Sequence, residues 1–385
     1  MAKRSRNLKW RELDPGRLSP EASKLRAALE SRVIGQQDAV DSLTTFHQIW
    51  LSGLNDPNRP VASFLFLGPT GTGKTRMVEA LAESLFQDRR AMLKVDCAEF
   101  SHSHEIARLI GSPPGYLGHR DTPPFLSQEN LDRHQTRQYP LTLLLFDEVE
   151  KANDALWMLL LGILDKGTLT LGTNETVDLT HTLIFMTSNV GADHFDRLHD
   201  KPLGFQGLDP DLGQEQVSES VLEATRRVFS PEFLNRIDRR IVFNSLGDPE
   251  FKKILDLELS YIRKRVQKRL DIEIRCTAGA RRYLLEHGTN PRYGARPLRN
   301  LLETEVLFPL ASLISSTQVK EGDRIQIDAH SEGDLIFRRA MKTMVAAATP
   351  SQPSHKTSDE DAGESVIPVH GPVVEPQPDP QPVSI

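Results

Sequence analysis

The sequence predicts an α/β fold: a parallel five-stranded sheet carrying a phosphate-binding loop, followed by a smaller, mainly helical domain. Three observations predict it. Five short runs, "SFLFLG", "MLKVDC", "LTLLLF", "TLIFMT" and "RRIVF", are almost continuously apolar, as strands covered on both faces must be. The segments between them are long enough to hold crossover helices, which parallel pairing requires. The first run leads straight into "GPTGTGKT", residues 68–75, a glycine-rich turn of the kind that joins a strand to a helix around a phosphate.

Taken in order, residues 1–24 are polar, with few helix or strand signals, and read as an N-terminal extension. An amphipathic helical pattern runs from about Leu25 to Leu51, interrupted at "VIGQ". The strands and their crossovers place the large domain at residues 25–244. Near Asn244 the character changes. "GDPEFKKILDLELSYIRKRVQKRL" opens with Asp248 as a helix cap and Pro249 at the first helical position. Phe251, Leu255, Ile262, Val266 and Leu270 form the apolar stripe of that helix. Arg263, Lys264, Arg265, Lys268 and Arg269 form a solvated face. More helix follows to about Ser316, then "DRIQI" as a strand, which gives a small domain at residues 245–342. The remaining stretch, 343–385, is proline-rich. From residue 350 it holds eight prolines and no aromatic residue, too little apolar area to offset its ordering entropy.

Composition narrows the function classes. With 38% hydrophobic and 26% charged residues the chain can bury a sizeable core. A net charge of −6 argues against a nucleic-acid partner. No apolar run approaches the ~18 residues that would cross a membrane. "MAKRSRNLKW" is basic but lacks the apolar stretch of a signal peptide, so a cytoplasmic location is expected. There Cys97 and Cys276, far apart and at no metal spacing, read as core thiols. His102 and His104 pair without further ligands and read as part of a solvated loop.

The chemistry starts at the loop. Gly68, Pro69, Thr70, Gly71, Thr72, Gly73, Lys74 and Thr75 fit the P-loop spacing in full. Glycines let backbone N–H groups converge on a phosphate, and the following helix N-terminus adds positive potential. Lys74 is expected on the β- and γ-phosphates of ATP, and the Thr75 hydroxyl on Mg²⁺. "LTLLLFDE" then ends a buried strand in two carboxylates. Asp147 is expected to hold the metal through water, and Glu148 to orient and deprotonate the attacking water.

Seven segments carry a resemblance: "VIGQQDAV", "GPTGTGKT", "GSPPGYLG", "LLLFDEVEKA", "FMTSNVGA", "SPEFLNRID" and "YGARPLRNLLE". In this order and spacing the chain resembles the Clp family of AAA+ protein unfoldases, specifically the second ATPase domain of ClpA, ClpB and ClpC, over residues 25–340. The resemblance implies an Mg²⁺-dependent ATPase that assembles as a homo-oligomeric, hexameric ring and works on protein substrates. It implies that Asn189 senses the γ-phosphate and the attacking water. Arg236, rather than its neighbours Arg239 and Arg240, would be the arginine finger reaching the next protomer's nucleotide, so that hydrolysis requires assembly. Arg296 would contact the phosphates of its own subunit's ATP. Val33 and Ile34 would pack on adenine, or serve the core alone. Gly115, Tyr116, Leu117 and Gly118 resemble the pore loop whose aromatic ring grips a threaded chain.

The sequence also departs from that family. "VIGQ" begins near residue 33, leaving no room for the substrate domain and first ATPase domain of the double-ring members, so a single ring is expected. No cysteine quartet matches the zinc module of ClpX. "HRDTPPFLSQENLDRHQ" replaces the usual glycine-containing acidic stretch after Gly118. Leu203, Gly204 and Phe205 resemble the loop by which some members dock on a ClpP-type peptidase, and equally suit a packed surface loop. Two functions therefore stand: a threading unfoldase, with or without a peptidase, and a nucleotide-switched assembly or scaffold ATPase that does not thread.

Overall fold

The computed structural model describes residues 11–112, 123–192, 210–290, 292–330 and 334–340, with the side chains of 210–215 left aside. Helix α1 (Pro20–Glu30) starts at Ser19, whose hydroxyl accepts the Ala22 N–H, with proline in the first turn. Helix α2 (Gln37–Ser52) ends at Gly53 in the left-handed conformation. Between them Val33–Gln36 form the turn that interrupts the helical pattern.

The large sheet follows as expected. Strands β1 (Ala62–Leu67), β2 (Leu93–Asp96) and β3 (Thr142–Asp147) are joined by α3 (Lys74–Phe86) and the short helices α4 (Ala107–Ile110) and α5 (Gln128–Asp132). After α6 (Asp154–Lys166) the chain makes a small antiparallel hairpin, β4 (Thr168–Thr170) and β5 (Thr176–Asp178). Strand β6 (Thr182–Ser188) comes next, then α7 (Pro210–Val228), α8 (Pro231–Asn235) and β7 (Arg239–Val242). The strand order is β2-β3-β6-β1-β7, and all four pairings are parallel.

Why the runs read as unbroken apolar stretches is plain from the two faces. Along β1, Leu65 and Leu67 enter one hydrophobic cluster while Phe64 and Phe66 enter another. Leu144 and Phe146 of β3 alternate in the same way with Leu143 and Leu145. Period-2 geometry sends every second side chain across the sheet, and helices cover both sides.

A third cluster holds the C-terminal part together. It is built from α9 (Asp248–Leu270), β8 (Glu273–Cys276), α10 (Ala278–Gly288), α11 (Arg296–Leu302), α12 (Phe308–Ser315), β9 (Arg324–Ala329) and β10 (Leu335–Arg339). The cap of α9 is Gly247, with Asp248 one position inside the helix. Glu250 closes the turn by accepting the Gly247 N–H at 3.1 Å. The expected "DRIQI" strand is the centre of a three-stranded sheet, parallel to β8 and antiparallel to β10. Cys97 is buried and Cys276 half-buried, both free. Among the described residues no helix is long and apolar enough to cross a membrane.

Candidate functional site

The glycine loop leaves β1 with backbone that only glycine adopts easily. Gly68, Gly71 and Gly73 have φ of +128°, +78° and +106°. Space is as restrictive as torsion: a Cβ on Gly71 would lie 2.3 Å from the Tyr293 carbonyl oxygen. The Gly71 carbonyl accepts the Ala295 N–H at 3.0 Å, so the loop is tied directly to the chain entering α11. On the other side Gln36, buried, donates to the carbonyls of Thr72 (3.1 Å) and Asn244 (3.0 Å). It also accepts the Asn244 N–H at 3.0 Å.

Lys74 starts α3 and is buried. Its ammonium donates to the carbonyls of Gly68 (2.7 Å) and Pro69 (2.8 Å) and to Asn189 Oδ1 (3.0 Å). Burial pushes it down to about 8, against the pull of Glu150, Asp147 and Glu148. All three acceptors are neutral oxygens that a phosphate could replace.

The β3–β6 register pairs Phe146 with Met186, which brings Asp147 alongside Thr187. Both the Thr187 and the Thr75 hydroxyls donate to Asp147, the latter at 3.2 Å, and Lys94 Nζ lies 2.6 Å from Asp147 Oδ2. Burial pushes the Asp147 carboxyl up, but the bonds from Lys94, Thr187 and Thr75 outweigh it and hold the group below its ordinary value. Glu148 sits in left-handed backbone (φ +58°), its N–H on the Thr187 hydroxyl at 3.0 Å. A non-glycine residue held there at a strand end is a strained geometry of the kind found at reactive centres. Asn189 Nδ2 donates to Glu148 Oε1 at 3.3 Å, so Asn189 touches both Lys74 and Glu148. The Asn189 N–H donates to Glu150 Oε1 at 3.0 Å. The other Glu150 oxygen is buried with no partner among the described residues.

These groups open on one cavity of about 390 Å³. Val33, Ile34, Thr70, Gly71, Thr72, Gly73, Lys74, Thr75, Asp147, Glu148, Asn189 and Arg296 all line it. Leu246, Ile254 and Leu257 complete an apolar end from the third hydrophobic cluster and α9. Gly68 and Pro69 lie behind the cavity and present carbonyls to Lys74. Arg76 crosses between the two parts of the chain, donating to the Tyr261 hydroxyl at 3.1 Å while paired with Glu79.

Arg236 is elsewhere. It caps α8, outside that cavity, and Arg239 and Arg240 fall on β7, with Arg239 over the Phe46 ring. Gly115, Tyr116, Leu117 and Gly118 lie outside the described residues, as do Leu203, Gly204 and Phe205. Four residues of the site escaped the sequence reading: Gln36, Lys94, Thr187 and Glu150. Gln36, Thr187 and Glu150 lie inside the quoted segments "VIGQQDAV", "FMTSNVGA" and "LLLFDEVEKA", and Lys94 lies on the second apolar run, but only the register of distant segments shows what each touches.

A P-loop opening a helix, with an acid pair ending the neighbouring-but-one strand of a five-stranded parallel sheet, defines an AAA+ ATPase. Residues 59–240 match the family model described as "AAA domain (Cdc48 subfamily)". Residues 246–327 match the "C-terminal, D2-small domain, of ClpB protein". The chain belongs to the Clp family of these ATPases and corresponds to their second ATPase domain. It is 39% identical over 333 residues to the chaperone protein ClpB of Mycobacterium leprae, covering 85% of this chain and 36% of that one. It is also 39% identical over 335 residues to ClpC, the ATP-binding subunit of an ATP-dependent Clp protease from Staphylococcus aureus, covering 87% of this chain and 39% of that one. Among solved structures it resembles Hsp104 with ATPγS and FITC casein in a closed state (TM-score 0.69, 31% identity, 83% of this chain and 52% of that one). The extended Saccharomyces cerevisiae Hsp104–casein complex matches with a TM-score of 0.70 and 34% identity, covering 82% of this chain and 52% of that one. The chain thus spans between a third and two fifths of the curated relatives it matches.

Proposed function

We propose that this chain is the protomer of a ring-forming, Mg·ATP-driven protein-remodelling motor that threads polypeptide through its pore. The observation that supports it most is the single cavity in which Lys74, Asp147, Glu148, Asn189 and Arg296 converge, together with relatives solved in complex with casein.

In this reading Lys74 trades its three neutral acceptors for phosphate oxygens. The Thr75 hydroxyl and the Asp147 carboxylate are hard oxygen donors 3.2 Å apart, a set that fits Mg²⁺. The ion would supply charge neutralisation at the phosphates. Glu148 takes the proton from the attacking water, and Asn189, donating to Glu148 at 3.3 Å, orients that water. Arg296 adds a cation from the small domain, Val33 and Ile34 flank the base, and Arg236 completes the neighbouring protomer's site. Tyr116, with Gly115, Leu117 and Gly118, carries the stroke to the substrate. The boundary between large and small domains falls after Asn244. A hexamer is the assembly this reading requires. Because the relatives include both a chaperone and a protease subunit, delivery to a ClpP-type peptidase through Leu203, Gly204 and Phe205 belongs to the same proposal.

The test is ATP-dependent unfolding of a fluorescent protein bearing an unstructured tail, comparing wild type with Tyr116→Ala and recording ATPase activity in the same wells. Unfolding by wild type, with hydrolysis but no unfolding by the variant, supports threading. Hydrolysis by both with the substrate left folded favours the nucleotide-switched scaffold. Co-degradation with a ClpP-type peptidase, and its loss in Phe205→Ala, tests delivery.

A further inference from the structure

Arg236 is held as carefully as Lys74, though by different groups. One terminal nitrogen donates to the Leu161 carbonyl at 3.2 Å and to the Asp165 carboxylate; the other donates to Glu232 at 2.9 Å. Leu161 and Asp165 both lie in the C-terminal half of α6, where the exposed carbonyl end of a helix favours a cation. That helix is anchored by buried Leu156, Leu160, Leu161, Ile163 and Leu164, so its carboxylate is presented from a rigid base. Glu232 differs: it sits on the same short helix as Arg236, four residues earlier, and its side chain is mostly exposed.

The face of α6 that carries Asp165 looks outward. Met158 and Gly162 stand seven and three residues before it, on the same side of the helix. Met158 is 71% exposed, and a Cβ on Gly162 would meet nothing within 4 Å. The guanidinium, its side chain 28% exposed, lies beside that face, and its Nε–H has no partner among the described residues.

We infer that Asp165 is a positioning residue: with the Leu161 carbonyl it fixes the Arg236 guanidinium so that its remaining N–H groups face the neighbouring protomer's nucleotide. This rests on the reading of Arg236 as a finger. A guanidinium already oriented by a fixed carboxylate loses little further rotamer freedom when it meets a phosphate. Glu232, the more exposed of the two acids, is the partner released when the phosphate arrives.

The experiment uses the full chain with Asp165→Asn, Asp165→Glu, Glu232→Gln and Arg236→Ala, measuring nucleotide affinity, assembly by light scattering, kcat and KM. Asp165→Asn is expected to lower kcat about tenfold or more while assembly and nucleotide affinity hold, the signature of an interaction made only in the transition state. Asp165→Glu restores most of the rate, and Glu232→Gln falls by less than Asp165→Asn. Mixing adds a readout that general damage would not reproduce. Lys74→Ala subunits have a broken site but an intact finger, so mixed rings with Asp165→Asn subunits should regain turnover. Wild-type kcat in Asp165→Asn, or a loss that mixing does not restore, overturns the role of Asp165. Normal turnover in Arg236→Ala overturns the finger itself and is read independently of the Asp165 result.

Discussion

The two cations that matter most in the large domain are treated in opposite ways. Lys74 is sunk in the protomer's own cavity, 8% exposed, with neutral carbonyl and amide oxygens as its only direct acceptors among the described residues. Arg236 stands on the outside, its side chain 28% exposed, with two carboxylates and a carbonyl around it. A buried ammonium whose acceptors are neutral, and whose charge the nearby Glu150, Asp147 and Glu148 offset only in part, is relieved by an anion in direct contact. A surface guanidinium with two carboxylates is already neutralised and is held for its direction. On the proposed function, the difference means that one protomer carries a nucleotide site and, on another face, the piece that would complete its neighbour's.

Substitutions break this comparison in graded steps. Arg236→Ala should bind nucleotide normally yet lose about 10³–10⁵ in turnover, the range of a trans-acting arginine; equilibrium binding of a fluorescent nucleotide beside steady-state hydrolysis checks it. Glu148→Gln should lose about 10²–10⁴ in turnover with binding kept, as expected for removal of a general base, and single-turnover hydrolysis measures it. Gly71→Ala forces an alanine to φ +78° and against the Tyr293 carbonyl. The strain is on the order of 1–3 kcal/mol. It should appear as a lower Tm and weaker nucleotide binding, since the loop and the α11 entry must part.

The smallest effect is a pH slope set by a buried histidine. His47 is buried beside Trp50 and Tyr139, with neither ring nitrogen partnered among the described residues. Burial holds its pKa below the ordinary 6.5, and the Glu21 carboxylate only partly counters that. The unfolded chain therefore takes up the proton first, so stability falls as pH drops below 6.5 and levels off below the folded pKa. Thermal melts between pH 7.5 and 5.5 should show this slope in wild type, and a flatter one in His47→Leu.

How much of this the sequence discloses depends on the range of the interaction. The five large strands are legible because burial on both faces leaves an unbroken apolar run, and the P-loop because its geometry demands glycine at fixed spacing. The β4–β5 hairpin is three residues a side with alternating exposure, β8 is four residues with polar ones interleaved, and β10 is three apolar residues followed by two arginines. Each is fixed by its partner strand and not by its own pattern. Gln36, Lys94 and Thr187 were hidden for the same reason, since strand register and the folded-back turn after α1 decide what they touch. Asp165 reads locally as an ordinary acid in the last turn of a helix, and only Arg236, 71 residues on, gives it a role. The start of α9 was legible to within a residue, at Gly247 and Asp248, whereas α1 begins at Pro20, five residues before the expected Leu25, because the Ser19 cap and Pro20 set its start ahead of the apolar pattern.

The central claim is that a protomer cannot hydrolyse ATP without its neighbour. The direct measurement is ATP turnover per subunit against protein concentration, with mass measured in parallel under saturating Mg·ATP. The account predicts that turnover per subunit is near zero where the protein is monomeric and rises to a plateau as rings form. Constant turnover per subunit, down to concentrations where only monomer is present, would contradict it.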